Sequence, residues 1–130
     1  MSMSFYISRK VSGSFETVTE KLKNQLSEKD YLIAADINVQ GALKQKMNAD
    51  LPKISIIGTN TPEVGLKIFS TDPRLGTLLP FSFVLHDLED GSIEVSVIEP
   101  TFLFQSVEHA GITKLGIEVR DVFLEVLNSL

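Results

Sequence analysis

The 130-residue chain contains no cysteine. Disulfides, zinc–thiolate sites, iron–sulfur clusters and cysteine nucleophiles are therefore excluded. Histidine is nearly as scarce: His86 and His109 are the two present, too few for a histidine-rich metal site. Basic residues are outnumbered, 12 against 17 acidic, for a formal net charge of -5. Binding to a nucleic-acid backbone draws its affinity from clustered Lys and Arg, so no nucleic-acid partner is expected despite the proximity of Lys44 and Lys46. Long apolar runs are missing as well. Nothing approaches the roughly 20 residues needed to span a bilayer, so no membrane partner is expected. Met1–Ile7 has neither a basic start nor a long apolar core, so no secretory signal is expected and a cytoplasmic location is.

What is present is a globular composition. Hydrophobic residues make up 43% of the chain, enough to bury a core without covalent staples. No repeat, low-complexity tract or linker interrupts it, and a single domain over residues 1–130 is expected.

The hydrophobic periodicity then divides the chain into elements. Residues 5–11 alternate as a strand, with Phe5, Ile7 and Val11 on one side and Tyr6 and Ser8 on the other. Ser14 is placed to cap a helix whose stripe is Phe15, Val18, Leu22 and Leu26. Residues 32–39 alternate again, Ile33, Ala35, Ile37 and Val39 against Asp36 and Asn38, which predicts a half-buried strand. A short helix over 42–48, a strand over 54–58 and a helix with Pro62 in its first turn, capped by Asn60 or Thr61, follow. Phe81, Phe83 and Leu85, then Ile93, Val95 and Val97, flank Glu89-Asp90-Gly91 and predict a tight hairpin. Residues 113–130 carry the stripe of a long last helix. The fold class is α+β: an antiparallel sheet covered on one face by the first and last helices.

Few of the polar residues suggest chemistry. Asp36, His86, Glu94 and Glu99 form either a carboxylate–histidine cluster on the uncovered face of the sheet or simply its wet side, since alternate polar positions need no further cause. No HExxH spacing supports a metal, and none is expected. Ser82 and Ser96 with His86 lack a G-x-S-x-G turn. Gly58, Gly65 and Gly76 fit neither a P-loop nor a GxGxxG pattern. Phe102-Leu103-Phe104 packs on the core, lines a pocket or makes a dimer contact.

Segments at the centre of the chain carry a family likeness. Asp36-Ile37, Ala42–Met47, Ile57-Gly58-Thr59-Asn60-Thr61-Pro62, Asp72–Pro80 and Ile93–Pro100 occur in an order and spacing that resembles the bacterial and archaeal domain of unknown function 302 family over almost the whole chain. The resemblance implies a β-α-β4-α arrangement of the TATA-binding-protein-like type with short extra helices, and it implies no TATA-like function. Many members have an Ala-Cys-Asn-Pro turn and a Leu-Pro-Cys segment. Here Asn60 and Phe81 stand where those cysteines would be, so no thiol activity carries over, and no cofactor is expected.

Together these readings lead to a non-enzymatic domain that binds a small apolar or amphipathic ligand between sheet and helices. Its expected cavity is lined by Phe81, Phe83, Phe102 and Phe104. Asp36, Lys46, Asn60, Thr61, Pro62 and Pro80 are the expected polar and turn residues around it. Two alternatives stand beside this: a homodimeric interaction module, and a small-molecule enzyme using Asp36, Lys46 and His86.

Overall fold

A computed structural model describes residues 4–130. Met1–Met3, and with them part of the segment read for a secretory signal, lie outside the described residues. Five strands, β1 (Tyr6–Ser12), β2 (Leu32–Asn38), β3 (Ile54–Asn60), β4 (Phe81–Asp87) and β5 (Ser92–Ile98), form one antiparallel sheet in the order β1-β5-β4-β3-β2. The helices are α1 (Phe15–Glu28), α2 (Val39–Met47), α3 (Pro62–Thr71), α4 (Pro100–Leu103) and α5 (Ala110–Asn128), with a 3-10 turn over Pro73–Leu78. This is the α+β, β-α-β4-α order expected from the sequence.

The core lies between the sheet and the helices because each element offers one apolar face. From α1 come Val18, Leu22 and Leu26; from α5 come Ile112, Leu115, Val119, Phe123, Val126 and Leu127. Against them the inner strands place Ile57, Phe81, Phe83, Leu85, Ile93, Val95 and Val97. Ser14 caps α1 as the sequence predicts, its side chain accepting from the Thr17 N–H. On the same face Arg9 of β1 donates to the Leu127 carbonyl at 2.8 Å, an acceptor in the last turn of α5 that also takes the Leu130 N–H.

Several local expectations are corrected. β2 is an edge strand and is exposed rather than half-buried, apart from Ala35. A bulge between Ile33 and Ala35 breaks its alternation, so Ile37 pairs with Ile56 on the uncovered face, while Asp36 stays on the helix side and pairs with Lys23 of α1. β3 runs on to Asn60, so Thr59 and Asn60 are strand rather than turn. The β4–β5 connection is a four-residue loop in which both Glu89 and Gly91 have positive φ, and Asp90 accepts from the Ser92 N–H. α5 begins at Ala110, three residues before the expected start, because the His109 side chain accepts from the Ile112 N–H and caps it.

Gly58 sits where three chain segments meet. A Cβ there would lie 2.9 Å from Pro80 Cγ and 3.2 Å from Ala35 Cβ. Neither neighbour can swing away, since one is a ring closed on its own backbone and the other has no rotatable side chain. Gly58→Ala is therefore expected to cost about 2 kcal/mol through overpacking, read as a lower urea midpoint at unchanged slope. An unchanged midpoint would mean that Pro80 does not press on the sheet.

Candidate functional site

The expected cavity between sheet and helices is filled. Phe81 and Phe83 are completely buried, and both rings meet Phe123 edge-on, with centroids 5.3 and 5.0 Å away. Phe104 closes the other side of Phe81 at 6.1 Å. Aromatic rings in this arrangement pack at near-crystalline density. Phe102 is only half-buried on α4, and its neighbour Phe104 provides the core contact.

The remaining expected residues scatter. Asp36 faces the helices, ion-paired to Lys23 at 2.7 Å, and Lys46 is exposed on α2. His86 lies on the opposite face of the sheet, in register with Glu94. These three do not converge, which removes the geometric basis of the enzyme alternative. Glu99 is 6% exposed and caps α4, accepting from the Thr101 N–H at 3.0 Å with Arg120 beside it at 3.4 Å. The Asp36–His86–Glu94–Glu99 cluster therefore does not form, and no group of three or more metal-ligating side chains occurs among the described residues. Pro80, after a cis peptide bond, rests over Gly58 at the sheet end.

Of the expected run Asn60-Thr61-Pro62, Thr61 lines a recess at the start of α3. Asn60 ends β3, and its Oδ1 is buried without a hydrogen-bond partner. Thr61 occupies the N-cap position of α3 with extended backbone, yet its side chain makes no capping bond. Pro62 follows in the first turn, where a missing N–H costs nothing. The Glu63 and Val64 N–H groups that come next have no intrahelical acceptor.

Opposite this helix start stands Tyr31, which the sequence reading passed over. Its position follows from how α1 ends. Asp30 adopts a left-handed conformation, φ 62°, its N–H donating to the Ser27 carbonyl, and the Tyr31 N–H donates to the Leu26 carbonyl. This is a Schellman closure with an aspartate in the place usually taken by glycine. It turns the Tyr31 ring into the core, where it meets Phe123 edge-on at 5.5 Å. The available signal was an aromatic residue with a polar tip immediately after a helix stop.

Between Tyr31, the start of α3 and one flank of α5 lies a recess of about 230 Å³, lined by Lys29, Asp30, Tyr31, Thr61, Glu63, Val64, Leu115, Glu118, Val119 and Val122. Tyr31 is 5% exposed and Thr61 9%, and neither hydroxyl has a protein hydrogen-bond partner among the described residues. Burial pushes the Tyr31 phenol up to about 12, and the Glu63 carboxylate adds to the shift. The hydroxyl keeps its proton throughout the physiological range and remains a donor. Larger depressions exist, such as one of about 410 Å³ on the uncovered sheet face beside Tyr6, Val84 and Ile98. That one is shallow and mostly apolar, and its polar residues Ser82, Glu94 and Ser96 are exposed or half-exposed. The Tyr31–Thr61 recess is half-open and brings two hydroxyls without protein partners beside an apolar wall.

The fold is an α+β domain, and this recess is one of several surface depressions among the described residues. A family model described as "Domain of unknown function DUF302" matches residues 7–130, and the chain belongs to that family. It is similar over 98% of its length to 98% of a chain described as "Crystal structure of uncharacterized conserved protein DUF302 from Bacillus stearothermophilus", with a TM-score of 0.90 at 16% identity. At that identity the likeness concerns the fold. No curated protein matches the sequence. No helix among the described residues is long and apolar enough to cross a membrane.

Proposed function

We propose that the protein is a non-enzymatic binding domain and that its small amphipathic ligand enters the Tyr31–Thr61 cavity rather than the sheet–helix interface. The observation that carries this reading is that Tyr31 and Thr61, two largely buried residues whose hydroxyls have no protein partner among the described residues, line one recess. A ligand acceptor would pair with both hydroxyls in place of solvent. The Val64, Leu115, Val119 and Val122 side chains supply the apolar half of the recess, in keeping with the general make-up of small-molecule sites.

Amide chemical shifts of the labelled protein, followed during titration with isobutyramide and isobutanol, test this reading. Shifts are expected at residues 29–31, 61–64 and 115–122. Thr61→Val, which keeps the shape and removes the hydroxyl, is expected to weaken binding of isobutyramide about fivefold, or about 1 kcal/mol. Shifts that gather on the uncovered sheet face, or none at all, would sink the reading.

A second reading, a homodimer, is favoured by a separate observation. The edge strand β2 and helix α2 expose Leu32, Ile33, Ile37 and Met47, the last at 73%. An apolar edge of this kind with unpaired backbone is a template for a second copy. Sedimentation over a range of concentrations is expected to show dimer, and Ile37→Lys to shift it to monomer. A wild-type monomer at every concentration would contradict this.

A further inference from the structure

We infer that the groove between α3 and α5 is an interface for a second copy of this chain, closed by charge pairing between opposite ends of two identical grooves. It is separate from the recess and from the contact through β2. Each helix carries opposite charges four residues apart on one face, Glu63 and Lys67 on α3, Lys114 and Glu118 on α5. The two helices run in opposite directions here. Glu63 and Glu118 border the same recess, while the Lys67 side chain reaches over to Gly111, its Cε 3.5 Å from where a Cβ would stand. Like charges therefore lie side by side across the groove, Glu63 with Glu118 at one end and Lys67 with Lys114 at the other. All four are exposed and line one depression of about 410 Å³ together with Leu66. None of them takes part in an ion pair among the described residues.

This pattern is complementary to itself in one orientation. A two-fold axis crossing both helices between their charged ends sets α3 antiparallel to α3 of the second copy, and α5 antiparallel to its α5. Glu63 then opposes Lys67 of the second copy, and Glu118 opposes its Lys114. An axis along the helices would set acid on acid and base on base, and that repulsion excludes it. Leu66, 73% exposed, lies between Glu63 and Lys67 and so meets its counterpart near the axis. The contact thereby has an apolar centre inside a charged rim. An exposed leucine alone needs no explanation; here one symmetry operation supplies partners for it and for all four charges. Rim charges govern association rate and salt response more than affinity. The dimer is accordingly weak and salt-sensitive, of the small transient class.

Sedimentation at low salt, about 0.05 M, tests this in the Ile37→Lys background, where the apolar edge at β2 does not contribute. Two groove variants are compared with that parent: Lys67→Glu with Lys114→Glu, wholly acidic, and Glu63→Lys with Glu118→Lys, wholly basic. The parent is expected to dimerise and to dissociate at about 0.5 M salt, where exposed charges are screened. Each variant alone is expected to associate at least about tenfold more weakly than the parent. Their equimolar mixture is expected to recover a 1:1 complex, with amide shifts at residues 63–70 and 111–118. A parent that stays monomeric at every concentration leaves the groove to a different partner or to none, and overturns the assignment. A variant that self-associates as strongly as the parent overturns it too, as does a mixture that stays apart or meets outside the groove. None of these results bears on ligand entry at the Tyr31–Thr61 recess.

Discussion

Phe123→Ala is expected to destabilise the protein by about 4 kcal/mol, the upper part of the range for emptying a core aromatic site. The reason is its position. Its ring is the hub against which Tyr31, Phe81 and Phe83 all stand edge-on, at centroid distances of 5.5, 5.3 and 5.0 Å. Deleting it removes the transfer energy of one large side chain and three aromatic contacts together, and the fully buried rings on the sheet side have little room to collapse into the gap. Since the variant risks failing to fold, Phe123→Leu keeps the prediction measurable. It retains most of the volume, loses the ring contacts, and is expected to cost about 2 kcal/mol. Urea unfolding checks both values. A loss below about 1 kcal/mol for the alanine variant would mean that the sheet–helix interface is looser than described.

The second large effect concerns a buried carboxylate. Glu99 is 6% exposed, accepts from the Thr101 N–H and hydroxyl, and lies beside Arg120 of α5. It thereby ties the end of β5, the start of α4 and the middle of α5 together. Glu99→Ala removes an N-cap, leaves the Thr101 hydroxyl without its acceptor and removes the ion-pair partner of Arg120. The expected cost is about 2 to 3 kcal/mol. Glu99→Gln keeps an acceptor for Thr101 and loses only the charge, for about 1 kcal/mol. If the two variants unfold at the same midpoint, the ion pair with Arg120 accounts for the effect and the cap contributes nothing.

The parts of the fold that were legible in the sequence are those where one period dominates. Val18, Leu22 and Leu26 on α1, and Phe81, Phe83 and Leu85 opposite Ile93, Val95 and Val97, bury one face against solvent on the other, so their spacing alone identifies the elements. β2 shows the limit. Its alternation is real, but a bulge changes its register and its place at the sheet edge decides its exposure, and neither is encoded in a period of two. The filled aromatic core marks another limit. Four phenylalanines near a sheet predict either a lined cavity or a packed cluster, and the choice depends on Phe123 arriving from the last helix.

Of the residues lining the candidate recess, Thr61 alone was among the expected site residues. Asn60, Thr61 and Pro62 stood out because proline and a hydroxyl residue mark a helix start. Tyr31 did not, because its role depends on the Asp30 turn that redirects it and on α5 passing over it. Asp36, Lys46 and His86 were read as one group from residue type, and the sheet itself keeps two of them apart, with Asp36 facing the helices and His86 the other side.

The most direct test of the central claim is a crystal structure of the protein grown with isobutyramide in excess. The account predicts the amide in the cavity between Tyr31 and α3, its carbonyl within hydrogen-bond distance of Thr61 Oγ1 and Tyr31 Oη, and its methyl groups against Val119 and Val122. Isobutyramide bound instead on the uncovered sheet face, with the Tyr31–Thr61 recess closed by side chains, would contradict it.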